Sequence, residues 1–188
     1  MDIRAKSERG FSLIELLVVV AIIGVLAAVG VVGYQGYIDS TKKSVTDANA
    51  KAVHQWLVNT KTVRAAGIDT DPVACKSATL TSATTAAAAV ATTGCFGQLG
   101  AAGGPFESFK NPYNNSRTGA TTIRPIASTA AVADDGSTTC ASLDADSEDG
   151  DILVRVSGTI AHLDVYFCSK VGDNNGRLTK RDTTITNF

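Results

Sequence analysis

The charged side chain with the most unusual surroundings in this sequence is Glu15. It is the only charged residue between positions 10 and 38, and the 23 residues at 16–38 contain no Asp, Glu, Lys, Arg or His. A carboxylate at the centre of a membrane-spanning helix costs roughly 2.5–3.5 kcal/mol on insertion scales. The chemistry that such a residue offers is ion pairing, because a buried carboxylate needs a cationic partner.

A second group of carboxylates lies near the C-terminus. Calcium takes about six to eight oxygen ligands, so this group is a weak candidate for a calcium site. The spacing is not that of an EF-hand loop, since Gly150 falls one place late. We therefore expect a solvated acidic loop and no metal. The weak candidates are Asp144, Asp146, Glu148, Asp149 and Asp151.

Sequence motifs of catalysis are missing. The only two histidines are His54 and His162, and the sequence contains no GxSxG, HExxH or Walker pattern. The glycines of residues 97–104 do not follow the dinucleotide-binding spacing. We expect no enzymatic activity and no cofactor. The formal net charge of −1 also makes nucleic acid unexpected as a dominant partner.

The segment before the apolar run is short and polar. Residues 1–10 read MDIRAKSERG and carry a net charge of +1. Basic residues next to a membrane helix stay on the cytoplasmic side, so the leader should be cytoplasmic and the bulk of the chain outside. The small residue Gly10 precedes the apolar run, whereas an ordinary secretory signal has its cleavage site after it. A cut after Gly10 would therefore remove the leader and keep the hydrophobic helix.

The sequence GFSLIE at residues 10–15, followed by LLVVVAIIGVLAA, resembles the class III signal of type IV pilins and type II secretion pseudopilins. The resemblance implies that a prepilin peptidase cleaves between Gly10 and Phe11 and methylates the new amine of Phe11. It also implies that Glu15 acts in assembly, where the Phe11 amine of a neighbouring subunit would be its partner. One departure is Val32, where many pilins have a proline; Gly30, Gly33 and Gly36 surround that position.

The function that this resemblance implies is structural. The chain would be held in the bacterial inner membrane, then assembled into an extracellular type IV pilus that serves adhesion, twitching motility or DNA uptake. Its partners would be identical or related pilin subunits, the prepilin peptidase, an inner-membrane assembly platform, and lipid before assembly. The alternatives are a type II secretion pseudopilin and a minor pilin acting at the tip as an adhesin or DNA receptor.

The sequence divides into five segments that would position these residues. The leader is 1–10, the transmembrane and polymerisation half of a long helix is 11–38, and its amphipathic half is 39–66. A variable αβ-loop follows at 67–120, and a sheet with a disulfide-bounded region occupies 121–188. On the amphipathic half, helical spacing predicts that one face is buried. The members of that face are Val45, Ala48, Ala52, Val53, Trp56 and Leu57.

Alternating apolar residues predict strands around 152–156 and 163–167, with a further strand at 121–127 and a last one at 177–188. Pro125 places the first of these at a sheet edge. This pattern predicts an antiparallel meander of three or four strands. The resemblance implies a similar α+β architecture, the type IV pilin fold, in which a long N-terminal helix packs on a four-stranded antiparallel sheet.

Four cysteines follow the apolar helix, on the side expected to be outside. An even number of cysteines in an oxidising compartment indicates disulfides, and four of them allow three pairings. We favour Cys75–Cys95 and Cys140–Cys168. The second pair would correspond to the C-terminal disulfide loop of the pilins that the N-terminus resembles.

Overall fold

The computed structural model describes residues 10–68, 75, 86–91, 93–128, 132, 138–157, 162–171 and 174–186. The leader residues 1–9 lie outside the described residues, as does much of the Thr- and Ala-rich stretch at 77–94. By their internal contacts, the residues form two compact units that divide after Ser40.

The first unit consists of the apolar part of one long helix. This helix, α1, runs Leu13–Ala65 over 53 residues. It continues through the glycines at 30, 33 and 36 without a break, and every side chain at 10–37 is exposed. Within the described residues it is the one helix long and apolar enough to cross a membrane, judged by length and composition, with a mean hydropathy of 3.0 over its best window.

The second unit contains the rest of α1, which buries one face. The buried residues are Thr46, Ala50, Val53, His54, Leu57 and Thr60. The predicted face was partly wrong, because Val45 and Ala48 are exposed. Hydropathy favoured those two residues over Thr46, but the Thr46 hydroxyl donates to the Lys42 carbonyl at 2.9 Å. A threonine that satisfies its own hydroxyl in this way can be buried at little cost.

The sheet contains four strands in the order β1-β2-β3-β4. Their bounds are Ile123–Ala127, Ile152–Ser157, His162–Val171 and Asn174–Thr186. The pairs β2–β3 and β3–β4 are antiparallel, with Val154 opposite Val165. The α+β class with a long helix on a four-stranded sheet is therefore confirmed.

The expectation of a wholly antiparallel sheet was wrong at its first strand. β1 pairs parallel with β2, with Ile123 opposite Ile152. A parallel pair needs a crossover connection of about a dozen residues or more, and the segment 128–151 is long enough to return the chain to the same end of the sheet. The first strand thus lies at the edge, as Pro125 predicts, but it points the other way.

Both faces of the sheet are buried. On one face Ile152, Val154 and Val156 pack in a cluster with Val53 and Leu57 of α1. On the other face a smaller cluster forms, which we call the outer core. Its members are Ile126, Cys140, Leu153, Tyr166, Cys168 and Leu178, with Val132 and Leu143 at its margin. Among its described residues the second unit also has three short helices: α2 (Ala86–Val90), α3 (Gly119–Thr122) and α4 (Cys140–Leu143).

The disulfides stabilise the two clusters separately. The structure joins Cys75 to Cys95 in the cluster beside α1, and Cys140 to Cys168 in the outer core. All four residues are fully buried. The second bond ties α4 to β3, so it holds the crossover segment against the sheet.

Replacing Cys140 and Cys168 together by Ala should lower the free energy of unfolding by about 3 kcal/mol, because the bond closes a loop with a sequence separation of 28. Denaturant unfolding of the full-length protein in detergent measures the loss. Peptide mapping under non-reducing conditions checks the connectivity. A peptide that links Cys95 to Cys140, or an unchanged unfolding midpoint, would contradict this assignment.

Candidate processing and assembly site

The start of α1 is fixed by two reciprocal hydrogen bonds between Ser12 and Glu15. The Ser12 amide donates to Glu15 Oε2 at 2.8 Å, and the Glu15 amide donates to Ser12 Oγ at 3.2 Å. The Ser12 carbonyl then accepts the first helical bond, from the Leu16 amide at 3.3 Å. This is a capping box, in which residues at N-cap and N3 satisfy each other's backbone donors.

Gly10 and Phe11 lie outside the helix and are exposed. Neither residue is in regular secondary structure, and the Phe11 side chain is 88% exposed. The peptide bond between them therefore stands two residues ahead of the first helical turn. It is open to an approaching enzyme and is not protected by helical hydrogen bonds.

Glu15 is surrounded by apolar side chains of its own helix. Its neighbours Ile14 and Leu16 are exposed, and within 10–38 it is the only charged residue. The Glu15 carboxylate accepts the Ser12 amide, and the Glu15 amide donates to Ser12 Oγ. In a membrane the carboxylate would thus retain one internal donor, the Ser12 amide, and a cation from another molecule would be its natural counter-charge.

Ser12 was not among the residues predicted to act at this site. The signal was present, since Ser-x-x-Glu ahead of an apolar run is the sequence signature of a capping box. Glu15 was interpreted as an isolated charge, and its second role as the N3 residue of α1 was missed.

The N-terminal segment also matches a known family model. Residues 5–31 match the prokaryotic N-terminal methylation motif. The chain therefore carries the class III signal of type IV pilins. The match ends before the second compact unit begins. No curated protein and no solved structure gave a significant match to the chain.

The five acidic residues of 144–151, which we call the acidic loop, are partnered by protein groups. Arg117 supplies the main cation: its guanidinium lies 2.9 Å from Glu148 Oε1 and 3.0 Å from Asp151 Oδ2. It also donates to the backbone carbonyls of Thr121 at 3.0 Å and Asp146 at 3.2 Å. The Arg117 guanidinium thus contacts two carboxylates and two backbone carbonyls.

Arg124 holds the start of the same loop. It donates two hydrogen bonds to Asp144, one of them from Nη2 at 2.9 Å, and this contact lowers the pKa of the Asp144 carboxyl. A hydrogen bond from Asn114 at 3.0 Å lowers the pKa of Glu148, with help from Arg117. Asp149 accepts from the Gly176 amide at 2.6 Å.

The solvated loop that we expected is wrong for Asp151, which is fully buried. Asp144 and Asp149 are half-buried, whereas Asp146 and Glu148 are exposed, with 88% and 50% of their side chains accessible. Within the described residues, no group of three or more His, Cys, Asp or Glu side chains is arranged to hold a metal ion. The expectation that this loop binds no metal stays a prediction, and its carboxylates already have arginine and amide partners.

Gly150 allows the acidic loop to approach Asn111. Its φ is +92°, and a Cβ at this position would lie 2.1 Å from Asn111 Oδ1. Asn111 is itself fully buried and donates to Asp151 at 2.9 Å. The loop is also tied to the sheet, since the Gly150 amide donates to the Cys168 carbonyl at 2.8 Å.

Gly150→Ala should destabilise the second unit by about 3 kcal/mol or more, because it combines a left-handed backbone with a steric overlap in a packed site. Gly103→Ala is the matched control. Gly103 has a similar φ of +78°, but a Cβ added there would meet nothing within 4 Å, so this substitution should cost only about 1–2 kcal/mol. Denaturant midpoints of the two variants give the comparison, and equal losses would contradict the proposed packing.

Asp151 should make stability depend on pH. Burial raises its pKa to about 6, against the opposing hydrogen bond from the Glu148 amide and the charge of Arg117. Because the folded pKa exceeds the unfolded value of 3.8, this contribution to stability is complete below about pH 4 and is lost as the pH rises through 6. The pKa values of Asp144 and Glu148 are lowered, so their contribution is lost as the pH falls below their ordinary range.

Stability of the full-length protein should therefore be greatest between about pH 4 and 5, exceeding that at pH 7 by about 2 kcal/mol. Asp151→Asn should remove the decline from about pH 5 to 7, as measured by denaturant unfolding across this range. Asp146→Asn, at an exposed position, serves as the control and should keep that decline. A wild-type protein with a flat profile from about pH 4 to 7 would refute the assignment.

Proposed function

We propose that this chain is the structural subunit of a type IV pilus, processed by a prepilin peptidase and assembled from the inner membrane into a helical surface filament. The observation that carries the proposal is the methylation motif at residues 5–31. Most of this motif lies in the apolar part of α1, where Glu15 is the single charged residue. The motif is typical of structural subunits and not of enzymes. Adhesion, twitching motility and DNA uptake are the tasks that such a filament serves.

The proposed assembly step uses Glu15 and the amine of a neighbouring Phe11. Two unit charges about 4 Å apart attract by roughly 4 kcal/mol at an effective dielectric of about 20. Much of this attraction offsets the loss of hydration, so the pair sets the register between subunits more than it adds net stability. Apolar side chains of α1, exposed in the single chain, would supply most of the favourable contact.

The same features support the proposed localisation. The basic leader favours a cytoplasmic N-terminus, and the apolar part of α1 is long enough to cross the inner membrane. The second unit would then lie outside, where an oxidising environment permits its two disulfides. After assembly the subunits would be extracellular.

A type II secretion pseudopilin is the second candidate, because it shares the N-terminal signal. A minor pilin at the filament tip, acting as an adhesin or DNA receptor, is a third. The disulfide that bounds the C-terminal region favours a pilus subunit. Abundance separates these candidates, since a major subunit dominates sheared surface filaments and a minor subunit is scarce in them.

Mass spectrometry of sheared surface filaments should find this chain as the main component, beginning at Phe11 with a methylated amine. The expected product lacks residues 1–10 and keeps the entire apolar helix. The cell's membrane fraction, analysed in parallel, should contain the same mature form. A product that still begins at Met1, or that begins after residue 38, would contradict the proposal.

Glu15→Ala should leave the chain in the membrane but reduce its recovery in filaments at least tenfold, because the counter-charge for the neighbouring amine is lost. Recovery is measured as the ratio of sheared to membrane-bound subunit. Glu107→Ala, which removes an exposed carboxylate of the second unit, is the control and should assemble normally. Normal filaments from Glu15→Ala would refute the assembly role.

A further inference from the structure

We propose that Ser12 is a positioning residue for assembly, which holds the Glu15 carboxylate in the orientation that receives the neighbouring amine. This inference rests on the proposed function and adds a second residue to it. Ser12 would not touch the partner subunit; it would act through Glu15.

The geometry shows how Ser12 orients Glu15: its backbone amide holds the carboxylate, and its hydroxyl holds the Glu15 backbone amide and so fixes the helix start. Glu15 Oε2 accepts the Ser12 amide at 2.8 Å, while Ser12 Oγ accepts the Glu15 amide at 3.2 Å. Glu15 is therefore held both at its backbone amide and at its carboxylate. The Ser12 amide bonds to Glu15 Oε2. The other carboxylate oxygen, Oε1, is then the one that an ammonium group of another molecule would approach.

This arrangement reduces the conformational cost of assembly. A glutamate side chain otherwise loses considerable rotamer freedom when it forms an ion pair, and here much of that freedom is already lost in the single chain. The subunit in the membrane thus already holds the orientation that pairing requires.

The same capping box places the helix start relative to the cleavage point. Ser12 is the N-cap, so Phe11 lies just before the helix and its amine, once released, is not drawn into helical hydrogen bonding. That amine can then reach a carboxylate on an adjacent copy. Ser12 therefore serves both partners of the ion pair, the acceptor in its own chain and the donor that it presents to the next.

Three variants separate this role from those of charge and of helix propensity. Ser12→Thr keeps a capping hydroxyl and should assemble like the wild type. Ser12→Ala keeps the Glu15 charge but removes the capping hydroxyl. We expect the ratio of filament to membrane-bound mature subunit to fall about fivefold, which is the factor that corresponds to the free energy of one lost helix cap. Glu15→Gln keeps an amide oxygen for the Ser12 amide but loses the charge, so it should retain the capping box and fail to assemble.

A spectroscopic readout follows the capping box itself. The amide of residue 15 donates to the Ser12 hydroxyl, so its hydrogen exchange in the full mature chain, in detergent micelles, should be slow in wild type, Ser12→Thr and Glu15→Gln, and faster in Ser12→Ala. Assembly of Ser12→Ala at the wild-type level, despite faster exchange, would overturn the proposal. Loss of assembly in Ser12→Thr with slow exchange retained would overturn it as well.

The experiments distinguish failure of the pilus assignment from failure of the Ser12 role. If the wild-type chain is not cut after Gly10, or if Glu15→Gln forms normal filaments, the pilus assignment fails regardless of Ser12. If wild type and Glu15→Gln behave as expected but Ser12→Ala assembles normally, only the positioning role is refuted.

Discussion

A carboxylate in apolar surroundings needs hydrogen-bond donors or a counter-charge, and this constraint governs the N-terminal segment of the protein. Glu15 is the single charge within residues 10–38. Its own chain satisfies part of that requirement, through the Ser12 amide at 2.8 Å. The remainder needs a cation that the apolar helix does not contain. This unmet requirement is the physical basis for the proposal that the chain associates with copies of itself.

A different principle stabilises the second unit. Its long connections are held by polar contacts and disulfides as much as by apolar packing. Arg117 binds two carboxylates and two carbonyls, and Asp151 is fully buried among such partners. The two disulfides fix one connection in each core cluster. Breaking one member of such a network leaves a buried group without its partner, so single substitutions here should be costly.

The crossover segment 128–151 connects β1 to β2 and contributes to both the outer core and the acidic loop. It reverses the direction expected for β1 and makes the first strand pair parallel. It also contributes Cys140 to the outer core and supplies the acidic loop that Arg117 holds. Three described residues of this segment, Val132, Cys140 and Leu143, pack on the second face of the sheet, and apolar residues of β2 and β3 are buried on both faces. Strand β2 is consistent with this, since Leu153 is as buried as Ile152 and Val154.

Local patterns in the sequence determined the apolar helix, the isolated Glu15, and the strands β2 and β3. These features depend on residue type and on spacings of two or about 3.6 residues, which do not require knowledge of distant partners. The capping residue Ser12 could also have been identified from the Ser-x-x-Glu spacing. Only the tertiary structure decided the direction of β1, the burial of Thr46 in place of Val45, and the arginine partners of the acidic loop. Each of these depends on residues far apart in sequence, such as Arg117 and Asp151, whose proximity arises only when the chain has folded.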